Sequence, residues 1–345
     1  KIRSKKAKIA VVGLGYVGSM LLAGLAHMGH TVIGVGRDKK KLSYYAKGIS
    51  PFTEPGLNDL LSRGVKSGKI TVTNSHIEAI SKTDLTFVCV ATPSARDGGL
   101  EMDITMVAAQ QIGSAIKHKS TQHTVCFRST LFCGSTEDTL IPILESTSGK
   151  KYLRDFSVGY NPEFLREGNA VEDFFHPPFT VIGSASIPHA HAIAAAYGYK
   201  GKTPSWVKAP LVVCNIKEAE ALKYACNAYH ALKVTFANEI GRIYSKYNVD
   251  PSRVMDIFTQ DTKLNISSKY LKPGVPFGGS CLGKDLRVLI TQGQVAHVST
   301  PLLSAIEKSN NSYIDDMYAD ILSLNKKKVG FLGLASLLIF FWGKG

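Results

Sequence analysis

The sequence predicts an α/β protein, with a doubly wound parallel sheet first and an all-helical segment after it. Three observations predict this. Short apolar runs alternate with helical patterns through residue 208. A glycine-rich turn joins the first run to the first helix. From about Lys217 the alternation stops and long helical periods take over.

Lys8-Ile9-Ala10-Val11-Val12 is an apolar β run. It leads into Gly13-Leu14-Gly15-Tyr16-Val17-Gly18 and then a helix pattern through Met28. Gly29-His30 ends that helix, and Thr31 to Val35 reads as a second strand, completing a βαβ unit. Further strands are expected at Leu85 to Val90, Thr124 to Arg128, Phe156 to Tyr160 and Thr180 to Gly183. Strands alternating with helices argue for a parallel sheet covered on both faces.

Lys217 to Tyr247 reads as one long helix without proline. More helix is expected at Pro251 to Thr259, Lys284 to Gln292 and Pro301 to Leu324. The expected domains are residues 1–208, a cofactor domain, and 209–325, a central helical domain. In residues 326–345, Lys328 to Ala335 echoes Lys8 to Gly15 and reads as the start of a second Rossmann-like domain, cut short. The other reading of this end is a short hydrophobic tail, Leu337 to Trp342, which is too short for a membrane span.

The 345 residues give room for two or three cores, and 44% hydrophobic with 20% charged residues is ordinary for a soluble protein. Six cysteines occur without a CxxC or Cys/His metal spacing, and no signal peptide is expected. They read as reduced thiols in a cytoplasmic protein, with no metal expected. The net charge of +14 suits an anionic partner. No basic stripe interleaved with aromatics and no zinc-finger spacing is present, so a phosphorylated small molecule fits better than nucleic acid. Solubility accounts equally well for much of the charge.

Gly13, Gly15 and Gly18 have the spacing of a dinucleotide fingerprint, with a strand before and a helix after. The first glycine allows a tight turn. The second admits the pyrophosphate, and the third lets helix and strand pack closely. The N-terminal domain is therefore read as Rossmann-type, with NAD as first choice of cofactor. The slot for an acidic ribose ligand holds Gly36, followed by Arg37 and Asp38. Arg37 suits a 2′-phosphate and Asp38 a ribose hydroxyl, so NADP stays open. Thr92 and Thr130, each just past a strand, are placed to line the same cleft.

Glu163 follows a strand in Asn161-Pro162-Glu163-Phe164-Leu165-Arg166-Glu167-Gly168. On pattern alone it reads as a surface-loop acid, with a base toward water as the sharper reading. Lys223, Asn227 and His230 are spaced four and three apart and share a helical face. That face is either a lined cleft or a solvated stripe. His230 alone reads as a structural histidine. Cys281 sits in Phe277-Gly278-Gly279-Ser280-Cys281-Leu282-Gly283-Lys284-Asp285. A cysteine near a cation reacts more readily as thiolate, which makes it a candidate nucleophile.

Together these segments resemble the UDP-glucose/GDP-mannose dehydrogenase family over nearly the whole chain to about Ala335. Four segments carry the resemblance: the glycine fingerprint, Glu54-Pro55-Gly56-Leu57, Asn161 to Glu167, and Gly278-Gly279-Ser280-Cys281. Pro177 to Gly183, Tyr229 to Glu239 and Asp261 to Asn265 point to its GDP-mannose branch. The UDP-glucose branch is the alternative, and a truncated, catalytically silent cofactor-binding homologue is another. A two-electron 6-phosphogluconate-type dehydrogenase, which needs no cysteine, is a third.

The resemblance implies a four-electron oxidation of a sugar C6 alcohol to a carboxylate with two NAD per turnover. The product would be GDP-mannuronate, an alginate precursor. It implies that Cys281 carries a thiohemiacetal and then a thioester. Lys223 and Asn227 would hold the oxyanion, Glu163 would act on water, and Asp285 would assist proton transfer. Gly13, Gly15, Tyr16, Val17, Gly18, Thr92, Thr130 and Lys284 would hold the cofactor, with Arg37 and Asp38 at its ribose end. Phe164, Leu165, Arg166, His230, Tyr270, Lys272, Phe277 and Gly278 would line the nucleotide-sugar site. A homodimer through the central helices is also implied. This chain departs from the family pattern at Gly36, at Gly283 (usually proline), at Lys272 (usually arginine) and in the third domain beyond Ala335.

Overall fold

The computed structural model describes residues 7–199, 209–245, 248–262, 274–279, 281–295 and 301–325. The chain divides into two compact units. The first is Lys1–Pro93 with Leu100–Lys223, and the second is Ser94–Gly99 with Tyr224–Gly345.

The first unit is built on an eight-stranded sheet: β1 Lys8–Val12, β2 Thr31–Val35, β3 Ile70–Thr73, β4 Leu85–Val88, β5 His123–Phe127, β6 Phe156–Tyr160, β7 Thr180–Gly183 and β8 Leu211–Cys214. Their order is β3-β2-β1-β4-β5-β6-β7-β8. Pairing is parallel from β3 to β6. The strand order reverses between β1 and β4, which is where open α/β sheets place a ligand crevice. One join departs from the expected parallel sheet: β6 and β7 are antiparallel at Tyr160 and Gly183, and β8 then runs parallel to β7.

Helices α1 Tyr16–His27 and α2 Lys39–Ala46 follow β1 and β2. Helices α3 to α8 are Leu57–Lys66, His76–Ser81, Asp103–Lys117, Ile141–Ser148, Ala170–Phe175 and Ile187–Ala194. Successive residues of β1 point to opposite faces. Ile9 and Val11 join a core with Met20, Leu25 and Phe87, while Ala10 and Val12 join one with Ile112, Val125 and Phe127. Both faces of the sheet are therefore covered. Helix α1 ends where Gly29 takes φ +95°, a conformation that disfavours any other residue.

Two strands escape the sequence reading. Both β3 and β8 are edge strands with largely half-exposed residues, unlike the equally short β4 and β7, which are buried throughout. Pairing of β8 with β7 carries the sheet past the expected boundary at residue 208, and the first unit runs on to Lys223.

Helices α9 Ile216–Ser245, α10 Pro251–Phe258, α11 Leu282–Val295 and α12 Pro301–Ser323 match the expected central helices. In the second unit Ala228, Ala231, Leu286 and Ile306 form a small core, with Phe277, Leu282 and Leu303 packed on it. The apolar segment 326–345, expected to start another domain, lies outside the described residues. Among the described residues no helix is long and apolar enough to cross a membrane.

Candidate functional site

Two of the three fingerprint glycines sit at close backbone approaches. Gly13 has φ +92°, and a Cβ there would meet the Cys89 carbonyl oxygen at 2.7 Å. A Cβ on Gly18 would lie 1.8 Å from the Gly13 carbonyl oxygen. A Cβ on Gly15, the N-cap of α1, would meet nothing within 4 Å, and no side chain caps the helix. A helix head without a side-chain cap, beside a glycine with free space over it, is the arrangement that receives a pyrophosphate. These residues fit a dinucleotide.

Tyr16, expected at the cofactor, donates to Glu54 Oε2 at 2.5 Å. Glu54 also accepts from the Gly168 and Ala170 amides, each at 2.8 Å. Burial, then Glu54, pushes the Tyr16 phenol far above its ordinary range. The Glu54-Pro55-Gly56-Leu57 segment therefore ties the fingerprint helix to the loop after β6. Val17 follows Tyr16 in the first turn of α1 and packs on the core.

Asp38 caps α2, its Oδ1 accepting from the Lys40 and Lys41 amides at 2.8 and 3.1 Å. Arg37 beside it is exposed. Thr92 is buried in the loop after β4, and Thr130 is half-buried in the loop after β5. Ser129 Oγ donates to the Val90 carbonyl at 2.7 Å and joins the two loops.

Glu163 is no surface acid. It is 8% exposed, and its Oε1 lies 2.8 Å from Nζ of Lys223, itself 5% exposed. The Leu165 amide donates to its Oε2 at 2.8 Å. Burial pushes the carboxyl up, but the Lys223 and Arg128 charges and these hydrogen bonds outweigh it and hold it below the usual range. Lys223 also lies 5.6 Å from the Phe164 ring centroid, and Phe164 packs edge-on against Phe179. Phe164 and Leu165 line a cleft with Arg128 and Tyr197. The Arg166 fork, expected at substrate, grips Asp173, with Nε 3.0 Å from Oδ2 and Nη2 2.5 Å from Oδ1.

A second group forms in the second unit. Asn227 donates its amide to Asp285 Oδ2, and Lys284 Nζ lies 2.5 Å from Asp285 Oδ1. Asp285 is 1% exposed. Its amide donates to the Cys281 carbonyl at 2.9 Å, so the head of α11 holds the cysteine's backbone. Cys281 is exposed, whereas Cys89 and Cys126 are core residues. Burial pushes the Cys89 thiol up to about 12, which leaves it inert near neutral pH. Lys284, expected at the cofactor, is thus engaged by Asp285. Gly283 sits inside the first turn of α11. Lys223 and Asn227 are buried and His230 is half-buried, so the face they share is not a solvated stripe. Tyr270 and Lys272 lie outside the described residues.

Four residues have roles that the sequence alone does not assign. Glu54 and Arg128 act in the first unit. Buried Arg128 donates to Asn161 Oδ1, and its Nη1 lies 3.2 Å from the Tyr197 hydroxyl. Its only signal is a cation ending an apolar strand. In the second unit Asn310 accepts from the Phe277 amide at 2.8 Å and donates to the Phe277 carbonyl at 3.2 Å. Asn238 accepts from the Gly274 amide at 2.8 Å. Both hold the glycine-rich segment leading to Cys281, across 33 and 36 residues of sequence.

Residues 7–199 match the model of the UDP-glucose/GDP-mannose dehydrogenase family NAD binding domain, and residues 217–312 match that of its central domain. A GDP-mannose 6-dehydrogenase of Pseudomonas savastanoi pv. phaseolicola is 42% identical over 95% of this chain and 73% of its own length. A UDP-glucose 6-dehydrogenase of Haloferax volcanii is 32% identical over 95% of this chain and 76% of its own. The solved UDP-glucose dehydrogenase of Pyrobaculum islandicum superposes with a TM-score of 0.84 at 36% identity, covering 90% of this chain and 69% of that one. The chain belongs to the UDP-glucose/GDP-mannose dehydrogenase family of NAD-dependent nucleotide-sugar oxidoreductases.

Proposed function

We propose that the chain oxidises the C6 alcohol of GDP-mannose to a carboxylate, giving GDP-mannuronate, an alginate precursor. The observation that carries this reading is Cys281 at the head of α11, exposed, with Asp285 buried one turn on and bonded to its carbonyl. An oxidation that stops at the aldehyde needs no such thiol. The GDP-mannose branch is supported by 42% identity against 32% for a UDP-glucose relative.

Bound NAD supplies the hydride acceptor for both oxidations. The cofactor-holding set is Gly13, Gly15, Tyr16, Val17, Gly18, Thr92 and Thr130, with Lys284 steadied by Asp285. Cys281 Sγ attacks the C6 aldehyde carbon and forms a C–S bond. Lys223 and Asn227 donate to the developing oxyanion. Oxidation of that adduct leaves a thioester on Cys281. Glu163, kept ionised by Lys223 and Arg128, orients the water that adds to the thioester carbon. The C–S bond then breaks, and the sulfur takes a proton. Asp285 orients the Asn227 amide and assists that proton transfer. Phe164, Leu165, Arg166, His230, Phe277 and Gly278 line the sugar-nucleotide site. The working form is a cytoplasmic homodimer joined through the central helices α9 to α12.

Incubation with each nucleotide sugar, following absorbance of the reduced cofactor, tests the reading. GDP-mannose should yield two reduced cofactors per sugar. The TM-score of 0.84 to a UDP-glucose enzyme keeps that substrate as the second reading, and turnover of UDP-glucose alone would establish it.

A further inference from the structure

The end of β2 carries a cofactor preference that the family membership does not specify. In this fold the residue closing the second strand meets the adenosine ribose: a carboxylate there binds the 2′-hydroxyl and repels a 2′-phosphate. Here the position just past β2 is Gly36, whose amide is bonded to the Thr73 carbonyl at 3.1 Å and which carries no carboxylate. The next acid, Asp38, is turned into its own helix and accepts from the Lys40 and Lys41 amides. Arg37 stands between them, exposed. Lys39 and Lys40 follow it and are exposed as well. The stretch just past β2 thus exposes cations where the fold ordinarily presents an anion. Gly13 donates its amide to the Val35 carbonyl at 2.9 Å, which fixes the fingerprint beside this strand end. An arginine fork matches phosphate oxygens in pairs, which a ribose hydroxyl does not need.

We propose that the adenosine end of this cofactor site accepts a 2′-phosphate through Arg37, so that the chain binds NADP as well as NAD. The inference rests on the reading of Gly13, Gly15 and Gly18 as the dinucleotide site. Arg37 is a specificity residue, since it faces a group present in only one of the two cofactors.

Calorimetric titration of the whole chain with NAD and with NADP tests it without requiring turnover. The NADP dissociation constant should fall within about tenfold of the NAD value. Arg37→Ala should weaken NADP by roughly 10- to 100-fold, the loss of a charge-assisted pair, and leave NAD within about twofold. Gly36→Asp should do the same by repulsion. The Cβ it adds would meet the side-chain tips of Leu42, at 3.2 Å, and Leu14, at 3.7 Å, and the Leu42 tip can shift. NAD binding with NADP more than about 100-fold weaker overturns the inference, as does an Arg37→Ala variant that loses both cofactors equally. Binding of neither cofactor overturns the dinucleotide site itself, and the inference with it.

Discussion

Nζ of Lys223 lies 2.8 Å from Oε1 of Glu163, with both side chains at least nine-tenths buried. Removing one partner of such a pair strands a charge in a poor dielectric. Lys223→Met should therefore cost about 3–5 kcal/mol in urea unfolding, and Lys223→Met with Glu163→Leu should recover most of it. A double variant no more stable than Lys223→Met would show that the pair is not coupled.

The same pair sets an acid limb. The folded Glu163 carboxyl sits below its ordinary value because Lys223 and Arg128 outweigh burial. A group depressed on folding stabilises fully above its unfolded pKa, about 4.3, and loses that contribution as pH falls through the folded value. Glu163→Gln should flatten the stability loss below about pH 4 relative to the parent chain. An unchanged slope there would remove Glu163 as its source.

Glu54 takes the Tyr16 hydroxyl and the amides of Gly168 and Ala170 on one buried carboxylate. Glu54→Ala leaves those amides unmet and should cost at least about 2 kcal/mol. Tyr16, raised on folding, stabilises fully below about pH 10 and loses that contribution as pH rises further. Ultraviolet titration of the folded protein should count one more ionising tyrosine in the Glu54→Ala variant than in the parent.

Asn310 bonds both polar groups of Phe277, and Asn238 holds Gly274. Asn310→Ala should lower kcat with the NAD dissociation constant unchanged, since it frees the cysteine segment and leaves the fingerprint intact. Equal loss of cofactor affinity would point to general unfolding instead.

The fold was largely legible because its signals are local. Gly13 to Gly18 lie between a strand and a helix, and the four central helices keep their period. The site was legible as a set of residues, since Cys281, Glu163, Lys223 and Asn227 stand in short motifs. Their bonding was not. Glu163 read alone as a surface acid, because the lysine that buries it comes 60 residues later. Glu54 and Arg128 are hidden in the same way, since their partners lie 33 to 116 residues away in sequence. Arg166 and Lys284 each pair with an acid, Asp173 and Asp285, that their motifs alone do not reveal as a partner. A cation's partner cannot be read from its type.

The sharpest chemical consequence concerns the sulfur. If Cys281 carries the acyl group and Glu163 directs water onto it, slowing the second step should make the first visible. Glu163→Gln keeps the shape of the carboxyl but not its charge, so attack by water should slow while attack by sulfur continues. Mass spectrometry of the acid-quenched Glu163→Gln protein with NAD and GDP-mannose should find the nucleotide sugar acid bound to Cys281. Hydroxylamine should release it, as it does a thioester. Cys281→Ser should show no such adduct and no carboxylate product. Cys133, also exposed, serves as the internal control and should stay unmodified. Carboxylate formed by Cys281→Ser at the parent rate would assign the oxidation to a route without a covalent intermediate.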